Sequence, residues 1–535
     1  MMPMTVAEIA EAVGGRLVAG AACAVPEGPV ATSTVSDSRQ IRAGSVFVAI
    51  PGERVDGHDF VAGAAQKGAV AALVDHVVDG ADDIVQIEVD DTVQALGGLA
   101  QHNIERRREL GADFSVIGIT GSVGKTTTKD LLRSLMAKLG ETVAPVGSFN
   151  NEIGLPLTAL KVGERTRFFV AEMGANHVGE IAKLTSIVPP DLAVVLKVGV
   201  AHLGEFGSVE RIAQAKSEIV QGLVPGGIAV LNADDQHVAA MTKFAPGDVL
   251  WFGLDGDAQP NATRMSAEAV TVDALDRPSF TLVDTDGSRA LVHLGIGGAH
   301  NVMNALAAAT VARHFGMSLN DIAEGLGEVA HISPHRMAVS QIGDGEDSFT
   351  LIDDSFNANP DSMRAGLDGL ARWQVNGNPQ ESEAGTSAAN AAKPYRVAVL
   401  GAMLELGADE LKLHRQTGAY AASLGIDEII AVGNKTDQHF DELASALAQG
   451  AQEELGQDAA PSAVAGASNS DLRTPVVVQW VHSAGQADRL VAEIAHQHPN
   501  TVVLLKGSHI SGLSALAEHW AHVSSQQPTE VEPKH

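Results

Sequence analysis

The chain has 535 residues, too many for one compact core, and that length predicts three or four domains. Its 36 basic residues stand against 66 acidic ones, a formal net charge of −30. That balance excludes a general binder of nucleic acid or anionic membrane, though not of a nucleotide held in one local pocket. The single cysteine, Cys23, excludes an intramolecular disulfide framework and a Cys-rich zinc site.

The start, M-M-P-M-T-V-A-E-I-A-E-A-V, carries early acidic residues and lacks an apolar h-region. It reads as a short amphipathic helix over 5–13, not a signal peptide. No run approaches the ~18 uncharged apolar residues of a membrane span, so a soluble, cytoplasmic protein is expected. Residues 1–108 form a first unit, with a strand at 46–50 and a helix starting over 60–67. Asp37, Ser38 and Arg39 precede that strand, where a loop would present them, although such a cluster is more often a turn than a site. His58–Asp59 reads as a helix entry.

Residues 113–130, D-F-S-V-I-G-I-T-G-S-V-G-K-T-T-T-K-D, are the stretch around which the chain is organised. The apolar run at 116–119 is a buried strand that breaks at Gly121 and Gly124 and enters a helix near Lys125. A strand, a glycine turn and a helix N-terminus make a phosphate site, because amide N–H groups point outward and the helix dipole favours an anion. Gly121, Ser122, Val123, Gly124, Lys125, Thr126 and Thr127 would cradle the phosphates. Lys125 would reach the β- and γ-phosphates and Thr126 would hold Mg²⁺. The strict G-x-x-x-x-G-K-[ST] pattern is not met, since its first glycine falls on Ile119.

Strand–helix alternation continues through 109–330, with strands at 116–120, 167–172, 193–198 and 228–231 and helices near 125–138, 209–222 and 301–315. The pattern predicts a mostly parallel sheet covered on both faces, with ligands at the carboxyl ends of its strands. Glu172 lies at one such end and His202 just beyond another, so both are candidate metal ligands, though a lone Glu or His is usually structural. Lys216 lies on a helix face expected to be exposed, where it reads as an i,i+4 partner of an acid. Asn301, in the first turn of its helix, could bond a purine edge or cap the helix.

Residues 331–535 form a third alternating unit, with strands near 349–353, 396–400, 428–432, 476–480 and 501–505. Polar segments 376–394 and 450–475 read as solvated insertions, and the tail from Ser524 as disordered. Arg336 could meet a phosphate with its planar fork, and Asp354, at a strand end, could accept from ribose hydroxyls.

The motifs G-I-T-G-S-V-G-K-T-T-T-K, S-F-N-N-E-I-G-L-P-L-T, A-E-M-G-A-N, A-H-L-G-E-F-G, A-K-S-E-I, A-H-N-V-M-N-A-L-A-A-A, D-D-S-F-N-A-N-P-D-S-M and L-G-A-M-L-E-L-G occur in that order. Together they resemble the Mur ligase family over nearly the whole chain outside the two insertions. The resemblance implies an α/β fold of three domains. These are a smaller α/β domain for a UDP-linked substrate, a central P-loop-type domain for ATP and Mg²⁺, and a mobile Rossmann-like C-terminal domain. S-F-N-N-E-I-G-L-P with D-S-F-N-A-N-P-D-S-M points to members that join D-alanyl-D-alanine to UDP-N-acetylmuramoyl-tripeptide through an acyl phosphate. The alternative is another amino-acid ligase of the same type.

Carried over residue by residue, the resemblance implies metal at Thr126, Glu172 and His202, with Lys216 carbamylated and also positioning metal. Lys125, Lys216 and His202 would be catalytic. Asn301 would face adenine, and Arg336 and Asp354 would close on phosphate and ribose. Ser38 and Arg39 would lie near the uridine diphosphate, and Asn150 and Asn151 near the muramoyl-peptide arm. A monomer without nucleic-acid or membrane partners is expected. Ala402, where an acid is common, and His509, where arginine or another polar residue is common, depart from the family pattern.

Overall fold

The computed structural model describes residues 1–18, 30–52, 55–111, 113–199, 203–329, 332–373, 394–458 and 475–526. Cys23 and His202 lie outside the described residues. No helix among them is long and apolar enough to cross a membrane.

The N-terminal sheet has five strands in the order Arg16–Val18, Val85–Glu88, Ala69–Val74, Ser45–Val48, Ser33–Val35, and all pairings but the first are parallel. The helix expected over 60–67 is three short pieces, Gly57–Phe60, Val61–Ala64 and Ala65–Lys67. The long helix Thr92–Glu109 is capped by Asp91, whose carboxylate accepts from the Val93 and Gln94 amides. It fastens this unit to the next through buried polar groups. Asn103 donates to Ala159 O and Val162 O, and Arg107 donates to Thr166 O.

The central sheet has nine strands. In order they are Arg289–His293, Pro278–Val283, Arg264–Val272, Val249–Phe252, Ile228–Asn232, Leu192–Val195, Ser115–Thr120, Phe168–Glu172 and Thr142–Val143. Alternation decides which face each side chain serves. Val116, Phe169, Ala193 and Val195 pack on one face with Ile212, Ala215 and Ile219 of the helix Val209–Gln221. Ile117, Ile119, Phe168 and Val194 pack on the other with Leu131, Leu132 and Leu135 of the helix Lys125–Ala137. The strands from Thr142 to Met265 are parallel, as predicted. The edge is not: Arg264–Val272, Pro278–Val283 and Arg289–His293 form an antiparallel meander. The strand expected at 193–198 stops at Val195, and its continuation turns toward the phosphate loop.

The C-terminal sheet runs Ala338–Ile342, Phe349–Asp354, Thr501–Lys506, Tyr395–Leu400, Glu428–Val432, Val477–Val481, parallel except at the first pair. Two expectations need correction. The stretch 450–475 is not loop throughout, because helix Gln438–Asp458 runs into it, and helix Leu513–Gln526 extends past Ser524. In the first, Ala451 and the long polar Gln452, Glu453 and Glu454 support helix despite low apolar content.

The central and C-terminal units touch backbone to backbone. Gly204 N donates to Glu405 O at 2.9 Å, and a Cβ on Gly204 would sit 2.4 Å from Gly407 N.

Candidate active site

The central and C-terminal sheets direct carboxyl ends of their parallel strands at one cleft of about 980 Å³. From the central sheet come the loop 122–124, Glu172 and Lys197, with Gly121 just behind the lining. From the C-terminal sheet come Asp354 and Lys506. This is where open α/β sheets place ligands, since loops and helix N-termini leave backbone groups free there.

The phosphate loop is pinned from three sides. Ser122 N donates to Lys197 O at 2.8 Å, and Gly199 N donates to Ser122 Oγ at 2.9 Å. Gly124 caps the helix at φ +83°, and a Cβ there would lie 2.2 Å from Asn304 Oδ1, so only glycine fits both the backbone and the neighbour. The Lys125 ammonium donates to Gly121 O at 2.8 Å. Burial pulls its pKa below the ordinary lysine value; Glu172 opposes that shift and Arg336 reinforces it.

Behind the loop lies a set of oxygen donors. Thr126 Oγ1 is 2.8 Å from Ser148 Oγ and 3.4 Å from Glu172 Oε1, which also accepts from Asn150 Nδ2 at 2.8 Å. Glu172 is 1% exposed, and its Oε2 has no hydrogen-bond partner. A buried carboxylate oxygen left bare is costly, and a hydroxyl with a carboxylate is the hard-donor chemistry that Mg²⁺ prefers. The residues present therefore fit a magnesium ion.

Arg336 reaches this set from the C-terminal side. Its Nη2 lies 3.3 Å from Ser148 Oγ and 3.5 Å from Thr126 Oγ1, and its guanidinium stands over the Phe356 ring at 4.3 Å. Its neighbours His335 and Met337 both adopt left-handed backbone, at φ 61° and 51°. Two non-glycine residues in that region store strain, of the kind found where a side chain must be aimed. Lys129 braces the same corner, donating to Pro145 O, Gly147 O and Ser333 Oγ, each at 3.0 Å.

Lys216 corrects the sequence reading. It is 2% exposed, not on an open face, and no acid four residues away pairs with it. Burial, followed by the nearby Lys125 charge, lowers its pKa to about 7. A helix of high amphipathicity has thus turned a lysine inward.

Three family models match in succession: the Mur ligase family catalytic domain over residues 32–104, the Mur ligase middle domain over 119–312 and the Mur ligase glutamate ligase domain over 373–509. The chain is also 40% identical, over 536 residues, to the UDP-N-acetylmuramoyl-tripeptide–D-alanyl-D-alanine ligase of Mycobacterium tuberculosis, covering 97% of this chain and 98% of that protein. The chain belongs to the Mur ligase family.

Among solved structures, this Mur ligase superposes on MurF from Acinetobacter baumannii with a TM-score of 0.76 at 31% identity, covering 98% and 99% of the two chains. It shares the fold of the MurF ligase from Thermotoga maritima, solved in complex with ADP, with a TM-score of 0.69 at 24% identity, covering 93% and 98%.

The cleft of the Mur ligase brings together the stretch 122–127, Asn150, Asn151, Glu172, Asn301, Arg336 and Asp354. Asn301 is held within its own loop, donating to Gly297 O at 2.7 Å and accepting from Asn304 at 2.7 Å. Asn151 accepts from Gly154 N at 2.9 Å, in the turn ahead of the short helix Gly154–Ala159. Asp354 is ion-paired with the buried Lys506. Ser38 and Arg39 do not line this cleft; Arg39 folds back on Asp37, holding that carboxyl near 2. Ser148, Lys197, His300, Arg364 and Lys506 were missed. Lys506 ends a buried strand beside Asp354, so the strand-end rule that selected Asp354 could have found it. His58, with Asp75 and His76 nearby, is structural: one ring nitrogen faces Asp56 Oδ1 at 2.7 Å and the other accepts from Asp75 N at 3.2 Å.

Proposed function

We propose that this chain is an ATP-dependent amide ligase that adds D-alanyl-D-alanine to UDP-N-acetylmuramoyl-tripeptide, giving the pentapeptide precursor of peptidoglycan. The observation that carries the reading is near full-length likeness to the M. tuberculosis ligase, combined with a phosphate loop, bare Glu172 oxygen and Arg336 around one cleft.

In this reading the tripeptide's terminal carboxylate attacks the γ-phosphorus of ATP. ADP leaves and an acyl phosphate forms. The amine of D-alanyl-D-alanine then attacks the acyl carbon, and inorganic phosphate leaves. The protein's work is positioning and charge neutralisation, because two anions must meet. The loop amides of Gly121–Thr127 hold the triphosphate. Lys125 exchanges one oxygen acceptor, Gly121 O, for another on the β- or γ-phosphate. Arg336 brings a planar donor set from the C-terminal side as that domain closes, excluding the water that would hydrolyse the acyl phosphate.

Thr126 and Glu172 would hold Mg²⁺, with His202 and modified Lys216 as further ligands; the ion, when bound, supplies charge that offsets the approach of the anions. Lys216 suits carbamylation because its pKa of about 7 leaves much of the amine neutral. The neutral nitrogen can bond to CO₂ and lose one proton, turning an amine into an anionic carbamate. Asn301 faces the adenine side and Asp354 the ribose. Ser38 and Arg39 attend the uridine diphosphate, and Asn150 and Asn151 the peptide arm. We take the domain limits as 1–108, 109–330 and 331–535, and the protein as a cytoplasmic monomer.

The test is mass spectrometry of the products from ATP, UDP-N-acetylmuramoyl-tripeptide and D-alanyl-D-alanine. The expected product is the UDP-linked pentapeptide, with ADP release dependent on the dipeptide. A stable phosphorylated product without an amide bond would instead identify a kinase.

A further inference from the structure

The helix Pro360–Arg372 forms one wall of the cleft, and its start is rigid, with Pro360 in the first turn and a reciprocal Asn359–Ser362 capping box. Met363, Leu367 and Leu370 pack beneath it, while Asp361, Arg364, Ala365 and Asp368 line the cleft. Arg364 pairs with no carboxylate among the described residues, although Asp361 and Asp368 stand three and four positions away, where helical ion pairs form. Asp368 is engaged by the Tyr420 hydroxyl. Asp361 leans the other way, 4.0 Å from Lys197 Nζ and against Gly199, whose amide holds Ser122 of the phosphate loop. The Arg364 guanidinium is stacked on the Tyr420 ring, 3.8 Å from its centroid. Stacking fixes the plane of a guanidinium and leaves in-plane N–H groups for a carboxylate.

We infer that Asp361 and Arg364 form a two-point recognition site for a zwitterionic dipeptide, the amine at Asp361 and the terminal carboxylate on Arg364. This rests on the proposed ligase reaction and names what selects its second substrate. The order of the two charges suits that reaction, because Asp361 is the member beside the phosphate loop, where the amine must attack. The spacing suits the length. Residues at i and i+3 hold their Cβ atoms about 5–6 Å apart. An extended chain advances roughly 3.3–3.6 Å per residue, so a dipeptide sets its amine and its carboxylate further apart than a free amino acid does.

The experiment compares D-alanyl-D-alanine with its C-terminal amide, D-alanyl-D-alaninamide, in steady-state assays of the full chain. The wild type should prefer the acid by about 10–100-fold in kcat/KM, the range of a hydrogen bond between charged groups. Arg364→Met should lose that preference while keeping the wild-type KM for ATP and for the UDP-linked substrate. Arg364→Lys should restore part of it. Arg364 is exposed, so folding should survive, and an unchanged melting temperature checks this. Retention of the full acid-over-amide preference by Arg364→Met, or no preference in the wild type, overturns the inference. No amide product from the wild type with either dipeptide would overturn the ligase reading instead.

Discussion

Asn150 Nδ2 donates to Glu172 Oε1 at 2.8 Å, committing one oxygen of that carboxylate while the other, Oε2, is buried with no hydrogen-bond partner. The amide therefore orients the acid and leaves one lone-pair face for a cation. Glu172→Gln should lower kcat/KM by about 10²–10³-fold, since it removes charge where charge must be neutralised. Asn150→Ala should cost less, about 10-fold, and raise the MgCl₂ concentration needed for half-maximal activity. Titrating activity against MgCl₂ checks both; an unaltered magnesium dependence in the two variants would count against the assignment.

Lys125→Ala should remove turnover, with at least a ~10³-fold loss, because the ammonium is the loop's own cation. The fold should survive, since the lysine's hydrogen bond to Gly121 O at 2.8 Å is not what shapes the turn. Coupled ADP release and far-UV circular dichroism measure the two halves of that statement.

Lys216→Ala should be inactive, and added short carboxylates should partly restore it. In the wild type, CO₂-depleted buffer should lower activity and bicarbonate should return it. With a pKa of about 7, the neutral fraction of the amine grows across the physiological range, so bicarbonate-dependent activity should rise with pH through that value. The stability sign is the same. The unfolded lysine keeps its proton toward 10.5 and the folded one does not, so the unmodified protein gains stability as pH climbs from about 7. Thermal melts without bicarbonate test it.

His414 predicts an acid limit. Its Nε2 accepts from Met403 N at 2.9 Å, and its other ring nitrogen lies 2.7 Å from Glu410 O, so the buried ring is neutral and pins the loop that carries Glu405 and Gly407. Burial lowers its pKa from 6.5 to about 4. Between those values the unfolded chain binds a proton that the folded chain refuses, so stability falls as pH drops through that window. The contribution is about 3 kcal/mol at most, by the usual conversion. His414→Gln should flatten this part of the melting-temperature profile.

Much of the architecture was legible because buried parallel strands read as short apolar runs; the ten strands read from the sequence all form, while Ala69–Val74, Val85–Glu88 and Val249–Phe252, also parallel, were not singled out. The antiparallel meander was not, although Phe280 and Leu282 alternate with half-buried neighbours and Ala290 and Val292 with exposed ones, because a search for strand–helix repeats passes over period-two segments. The phosphate loop and Glu172 were readable from strand ends. Lys216 was not, since nothing local tells a helix which of its polar residues will be carried inward. Arg364 was equally hidden: its meaning depends on Tyr420, which lies 56 positions along the chain and takes up the acid that would have neutralised it.

Gly204 and Gly407 meet with no side chain between them, Gly204 N donating to Glu405 O at 2.9 Å. The seam sets how near the two units lie: two bare strips of main chain meet there with no room for a side chain. A single methyl on either glycine would act as a wedge, leaving each half intact but the mouth ajar. Such an enzyme would still load nucleotide yet spill its activated acid to solvent, splitting ATP without building a bond.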